Sequence, residues 1–227
     1  MTSKLLLLAV FVFCMLIMSM NHKKRRKKIV FFGDSITEYG ARPGGYITVI
    51  RQLIREETKE DSYELAGEGR GGNKVNDLYA RMNRDVLSKG ADVVVVFVGV
   101  NDVNHKFSGL TGTDIDTFKT TYTAIIDKLQ AAQIKVVLCT PAAIGERPDH
   151  VDEANTELNR YSDVIRNLAD SFNLPLVDLR HAFLNYNALY NPEHKDFGVL
   201  TNDKIHLNEA GNRLVAAEMW KVLRDLA

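Results

Sequence analysis

From Val93 to Val98 the chain is apolar at every position, four valines in a row followed by Phe97 and Val98. A strand with one face in water alternates apolar and polar residues, so an unbroken run fits a strand of a parallel sheet, covered on both faces. Such a sheet needs layers of helix above and below it, and the rest of the sequence supplies the alternation.

"KIVFFGD", from Lys28, reads as a first strand, and "YITVIRQLIREETK" as a helix burying Ile47, Ile50, Leu53 and Ile54 along one stripe. "SYELAG" predicts a second strand ending at Gly67. Val75, Leu78, Tyr79, Met82 and Val86 line the next helix, and Gly90 falls where a helix end favours a left-handed residue. After the valine-rich strand, Ile115, Phe118, Tyr122, Ile125, Ile126 and Leu129 share a helical stripe capped by Thr113 or Asp114. "IKVVLCTP" is a fourth strand closed by Pro141, and Leu158, Tyr161, Ile165, Leu168 and Phe172 mark another helix. "LPLVDL" is the fifth strand, a less regular stretch runs from about Asn185 to Ile205, and a last helix carries Leu214, Val215, Met219, Val222 and Leu223. The pattern predicts an α/β fold, a three-layer doubly wound sandwich around a five-stranded parallel sheet. Ligands of such sheets bind beyond the carboxyl ends of the strands.

The 227 residues suffice for one core, placed at residues 29–227. Lys plus Arg and Asp plus Glu number 29 each, so no global field attracts nucleic acid, and a small, roughly neutral partner is expected. Cys14 and Cys139 are the only cysteines, which rules against a disulfide framework. Residues 1–20 contain an uninterrupted apolar segment, Leu5–Met18, short for a membrane span of about 20 residues and suited to the core of a signal peptide. The linker at residues 21–28, "NHKKRRKK", places six positive side chains behind it, which opposes transfer of the downstream domain across a membrane. The expected location is either exported, periplasmic or secreted, or membrane-anchored, with the apolar segment and the basic run touching anionic lipid.

Four of the five predicted strands are followed by "GDS", "GEGRGGN", "GVNDVNH" and "DLRH", so glycines and polar residues gather at one sheet edge. A serine where a buried strand opens out has an exposed hydroxyl on a rigid base, and the preceding Gly33 permits close approach. Singly, each block is ambiguous: Ser35 as a turn residue, Asn101 as a loop asparagine bonding its own backbone, "DKIH" as a turn into the last helix with Asn208 as its cap.

Together, "FFGDSIT", the Gly72 of "GRGGN", "VGVND" and "DKIHLNEAGNRL" resemble, in order and position, the four blocks of the SGNH hydrolases, the GDSL esterase/lipase family, over Ile29 to about Trp220. The resemblance implies a flavodoxin-like SGNH hydrolase fold and a carboxylic ester hydrolase working through an acyl-enzyme. It assigns Ser35 as nucleophile, His206 as its base and Asp203 as the acid that orients the imidazole. It assigns the oxyanion hole to the N–H of Ser35, the N–H of Gly72 and the side-chain amide of Asn101. Two departures stand out. "GRGGN" lacks the serine many relatives carry before the glycine, which leaves the hole residue between Gly71 and Gly72, with Gly72 favoured by its spacing to Asn73. Lys204 stands where a glycine is common, and is expected to bring positive charge to the pocket rim. Asp34 and Asp102 are expected to accept loop N–H bonds.

No cofactor and no metal are expected, because His105, His150, His181 and His194 form no ligand spacing with cysteines or carboxylates. The short connecting loops favour small-acyl esters, with acetyl groups on a sugar as the leading substrate on family analogy and a short-chain lipase or thioesterase as the alternative. From other classes, phosphoryl transfer on Asp34 would need magnesium carboxylates and a later lysine that "CTPAA" does not supply. A silent glycan- or lipid-binding module would not need Ser35, Asn101 and His206 together.

Overall fold

The computed structural model describes residues 25–57, 59, 62–147 and 152–226. Residues 1–24, and with them Leu5–Met18, Cys14 and the start of the basic run, Lys23 and Lys24, lie outside the described residues, as does His150. Five strands, β1 (Lys27–Gly33), β2 (Tyr63–Gly69), β3 (Val93–Phe97), β4 (Lys135–Cys139) and β5 (Leu176–Val177), form one sheet in the order β2-β1-β3-β4-β5, every pair parallel. The helices are α1 (Ser35–Gly40), α2 (Tyr46–Glu56), α3 (Val75–Asp85), α4 (Val100–Phe107), α5 (Ile115–Ala131), α6 (Glu153–Ser171), α7 (Leu179–Tyr190) and α8 (Glu209–Leu226). Helices α2 and α8 pack together, as do α3 with α5 and α5 with α6. This is the doubly wound arrangement expected from the valine-rich run, whose residues Val93 to Phe97 are at most 2% exposed. No helix of the described residues is long and apolar enough to cross a membrane.

Strand order places a switch point between β1 and β3, from which connections leave in opposite directions, and that is where such sheets open a crevice. Register brings the strand ends level: Gly33 is paired with Gly69 on one side and Phe97 on the other. Gly33 has to be glycine, since a Cβ there would lie 2.3 Å from both the Phe97 carbonyl and Thr37 Oγ1. The tight fit lets α1 begin immediately after β1.

Several elements differ from the sequence reading. Strand β1 starts one residue earlier, at Lys27, and the end of the basic run is tied down: Arg25 pairs with Asp92 and Lys28 with Glu64. β2 continues past Gly67 to Gly69, and β5 is only two residues long. Tyr79, placed on the buried stripe, is 41% exposed. The segments after β1 and β3 are short helices instead of loops, capped by Asp34 and by Gly99, whose φ of 133° only glycine adopts readily. Helix α7 runs through the start of the stretch expected to be irregular, because Asp178 caps it and Leu179, Phe183 and Asn187 turn one buried face inward. Asp114, not Thr113, caps α5, and Gly90 is left-handed as expected, with φ 64°.

Candidate active site

Ser35 is the first residue of α1, held at the end of the buried β1 and 6% exposed. Asp34 caps the helix by accepting the Ile36 N–H at 2.9 Å. Its partner is distant in the chain: Ser35 Oγ lies 2.9 Å from His206 Nε2, across 171 residues. His206 Nδ1 in turn lies 2.6 Å from Asp203 Oδ2, and Asp203 Oδ1 accepts the N–H of His206 at 2.8 Å and that of Ile205 at 3.2 Å.

The protonation pattern follows from the partners. Partial burial works to raise the Asp203 carboxyl, but the bonds from the His206 ring and from two backbone N–H groups outweigh it and hold it below the usual carboxylate range. An ionised carboxylate only accepts, so Nδ1 of the neutral ring carries the hydrogen and Nε2 presents its lone pair to the Ser35 hydroxyl. Lys204, between the acid and the histidine, has a φ of 85°, the conformation that makes glycine common there. Its Nζ pairs with Asp196, so its charge is compensated instead of standing free at the rim.

The second and third blocks meet beside this line. Gly71 gives its N–H to Glu38 Oε2 at 2.7 Å, whereas Gly72, at φ 75°, has open space where a Cβ would stand. That difference distinguishes the two candidate glycines, since the Gly71 N–H is already engaged by Glu38. Asn101, 7% exposed in the first turn of α4, donates from Nδ2 to the carbonyl of Asn73 at 3.1 Å, so its amide is fastened to the residue after Gly72. Arg81 binds Asn73 Oδ1 at 2.6 Å and the Gly33 carbonyl at 2.6 Å, bracing the loop against the end of β1.

Asp34 and Asp102 accept backbone bonds, as expected. Asp102 receives the Val75 N–H at the start of α3. Burial raises Asp34 to about 7 and Asp102 to about 6. His105 lies on α4, and His181 bonds Asn185 at 2.8 Å. Among the described residues no three His, Cys, Asp or Glu side chains form a metal-holding group.

Sequence reasoning passed over Glu38 and Tyr39. The Tyr39 ring centroid lies 5.2 Å from that of His206, with the Arg42 guanidinium 4.1 Å from its own centroid, and Arg42 also bonds Glu38. The available signal was positional: Tyr39 follows Ser35 by four residues, one helical turn.

Comparison with known proteins identifies the family. The model of the GDSL-like Lipase/Acylhydrolase family matches residues 31–214. The chain is similar to an acetylxylan esterase of Geobacillus stearothermophilus, 26% identical over 205 residues that cover 84% of this chain and 90% of that protein. It is also similar to the isoamyl acetate-hydrolyzing esterase 1 homolog of Rattus norvegicus, 24% identical over 209 residues, 86% of this chain and 81% of that one. Among solved structures, the acetyl xylan esterase AlAXEase aligns with a TM-score of 0.84 at 58% identity, covering 86% of this chain and 98% of its own. With a family model spanning most of its length and esterases as its relatives, this chain belongs to the GDSL-like lipase/acylhydrolase family and is a carboxylic ester hydrolase.

Proposed function

We propose that the enzyme is a serine esterase that removes small acyl groups, acetyl foremost, from carbohydrates through an acyl-enzyme intermediate. One observation carries the reading: an unbroken hydrogen-bonded line from Ser35 Oγ through His206 to Asp203. As Ser35 attacks the ester carbonyl, His206 Nε2 takes its proton, and Asp203 stabilises the imidazolium that forms. The N–H groups of Ser35 and Gly72 and the Asn101 amide receive the developing oxyanion. His206 then gives its proton to the departing sugar oxygen, and the same line activates a water to release the acid.

The acetyl-carbohydrate part is supported by the relatives named as acetylxylan esterases. One of these, Axe2, has been solved in three forms described as catalytic mutants, replacing a serine, an aspartate and a histidine three residues after that aspartate. The spacing equals that of Asp203 and His206 here. Phosphoryl transfer on Asp34 gains no support, since that carboxyl is 1% exposed and engaged as a helix cap.

Ser35→Ala should abolish hydrolysis of p-nitrophenyl acetate and of acetylated xylooligosaccharides while the circular dichroism of the fold is retained, and a fluorophosphonate should label the wild type only. Retained turnover in the variant removes Ser35 from the chemistry. A series of aryl esters should favour acetyl; preference for octanoyl or longer would overturn the small-acyl assignment.

A further inference from the structure

Glu146 has no part in the steps above, yet its carboxylate is one of the most buried in the molecule, at 2% exposure. It lies beyond the end of β4. Its Oε2 accepts the Val199 N–H at 2.8 Å, and its Oε1 accepts the Leu200 N–H at 2.9 Å and the Thr201 N–H as well. Burying a carboxylate is costly unless hydrogen bonds replace the lost water. Three consecutive backbone N–H groups provide that replacement, and they do so only while residues 199–201 stay wrapped around the carboxylate.

The wrapped segment is the stem of the loop that bears the acid and the histidine. Thr201 bridges to Leu207 across the loop, the Asn202 N–H donates to the His206 carbonyl at 2.8 Å, and Thr201 Oγ1 accepts the Lys204 N–H at 3.2 Å. Backbone bonds from the same side hold the frame: Gly145 N–H to the Lys204 carbonyl at 2.9 Å and Glu146 N–H to the Asp196 carbonyl at 3.0 Å. Ser35 is fixed separately, by β1 and α1. The distance from Ser35 Oγ to His206 Nε2 therefore depends on where this loop is seated against the sheet.

We propose that Glu146 is a positioning residue for the esterase reaction: its carboxylate seats the 199–208 loop and thereby sets His206 against Ser35. The proposal rests on the reading of Ser35 and His206 as the reacting pair. Misplacement of a reacting group by about 1 Å can cost on the order of a hundredfold in rate.

Glu146→Gln keeps the volume but turns one accepting oxygen into an NH2 group that faces a backbone N–H. The expected result is a fall in kcat on p-nitrophenyl acetate of about 10- to 100-fold with KM changed less than about twofold, together with a shift or broadening of the downfield proton resonance of His206 Nδ1–H. A lower melting temperature with kcat per folded molecule and that resonance both unchanged would mean a purely structural role and would overturn the proposal. Should the variant not fold, amide hydrogen exchange of the wild type decides: Val199, Leu200 and Thr201 should be protected, and rapid exchange at all three overturns it. Ser35→Ala run in parallel separates the two readings. Turnover surviving there refutes the role of Ser35, whereas the Nδ1–H resonance and the amide exchange report on Glu146 without any turnover.

Discussion

Asp34→Asn tests how the carboxyl beneath Ser35 is ionised. Burial is the main cause that raises Asp34 from 3.8 to about 7; the bond from Ile36 N–H opposes it, the Asp102 charge adds to it and the Arg81 charge opposes it. A carboxyl raised in the folded state holds its proton where the unfolded chain has lost it. The folded protein therefore binds more protons between about pH 4 and pH 7, and stability falls as pH rises through that window. Each tenfold in proton affinity is about 1.4 kcal/mol, so complete ionisation costs roughly 4 kcal/mol. Carboxyls held low have the opposite slope in a different range. Asp85, pinned by Arg84 and Arg81, and Asp203 contribute stability that is present above their ordinary value and lost only in stronger acid. Asp102, raised to about 6 by burial, slopes the same way as Asp34, so the variant should retain a smaller decline. Asn keeps an oxygen for the Ile36 N–H, which preserves the cap while removing the titration. Urea unfolding across this range should show the wild type losing several kcal/mol and Asp34→Asn losing markedly less. Parallel curves for the two proteins would refute the argument, because they would mean that Asp34 ionises as it does in the unfolded chain.

Two further substitutions probe the site. Asn101→Ala removes an amide already oriented by the Asn73 carbonyl, and should lower kcat on p-nitrophenyl acetate by about 10²- to 10³-fold with an unchanged fold; a loss under about threefold would exclude Asn101 from the oxyanion hole. Tyr39 stands beside His206, the proposed proton donor to the departing alcohol, and is 42% exposed. Tyr39→Ala should therefore reduce kcat/KM on acetylated xylooligosaccharides about fivefold, the value of one aromatic contact near 1 kcal/mol, and barely affect p-nitrophenyl acetate, whose leaving group needs no proton; equal losses on both substrates would show that the ring serves His206 instead.

The sequence by itself determined the layered fold and singled out the candidate site residues, because both are written in local patterns. Val93–Phe97 could be satisfied only by cover on both faces, and the helical stripes supplied it. Ser35, Gly72, Asn101, Asp203 and His206 stood out because they sit in short blocks at predicted strand ends. Local patterns say little about elements whose stability comes from elsewhere. Helix α7 has a weak stripe and is fixed by its Asp178 cap and by the packing of Phe183 and Asn187. β5, with two residues, exists because β4 lies beside it.

Only the tertiary structure decided that the Gly71 N–H is engaged, since Glu38 reaches it across 33 residues. It likewise decided that Lys204 is paired with Asp196 and that Glu146 binds the stem of the loop carrying His206. These are choices among partners distant in the chain. A residue's spacing records the face it occupies on its own helix or strand, but the charge or N–H it meets is set by how separate elements pack. That packing is fixed by the whole buried core.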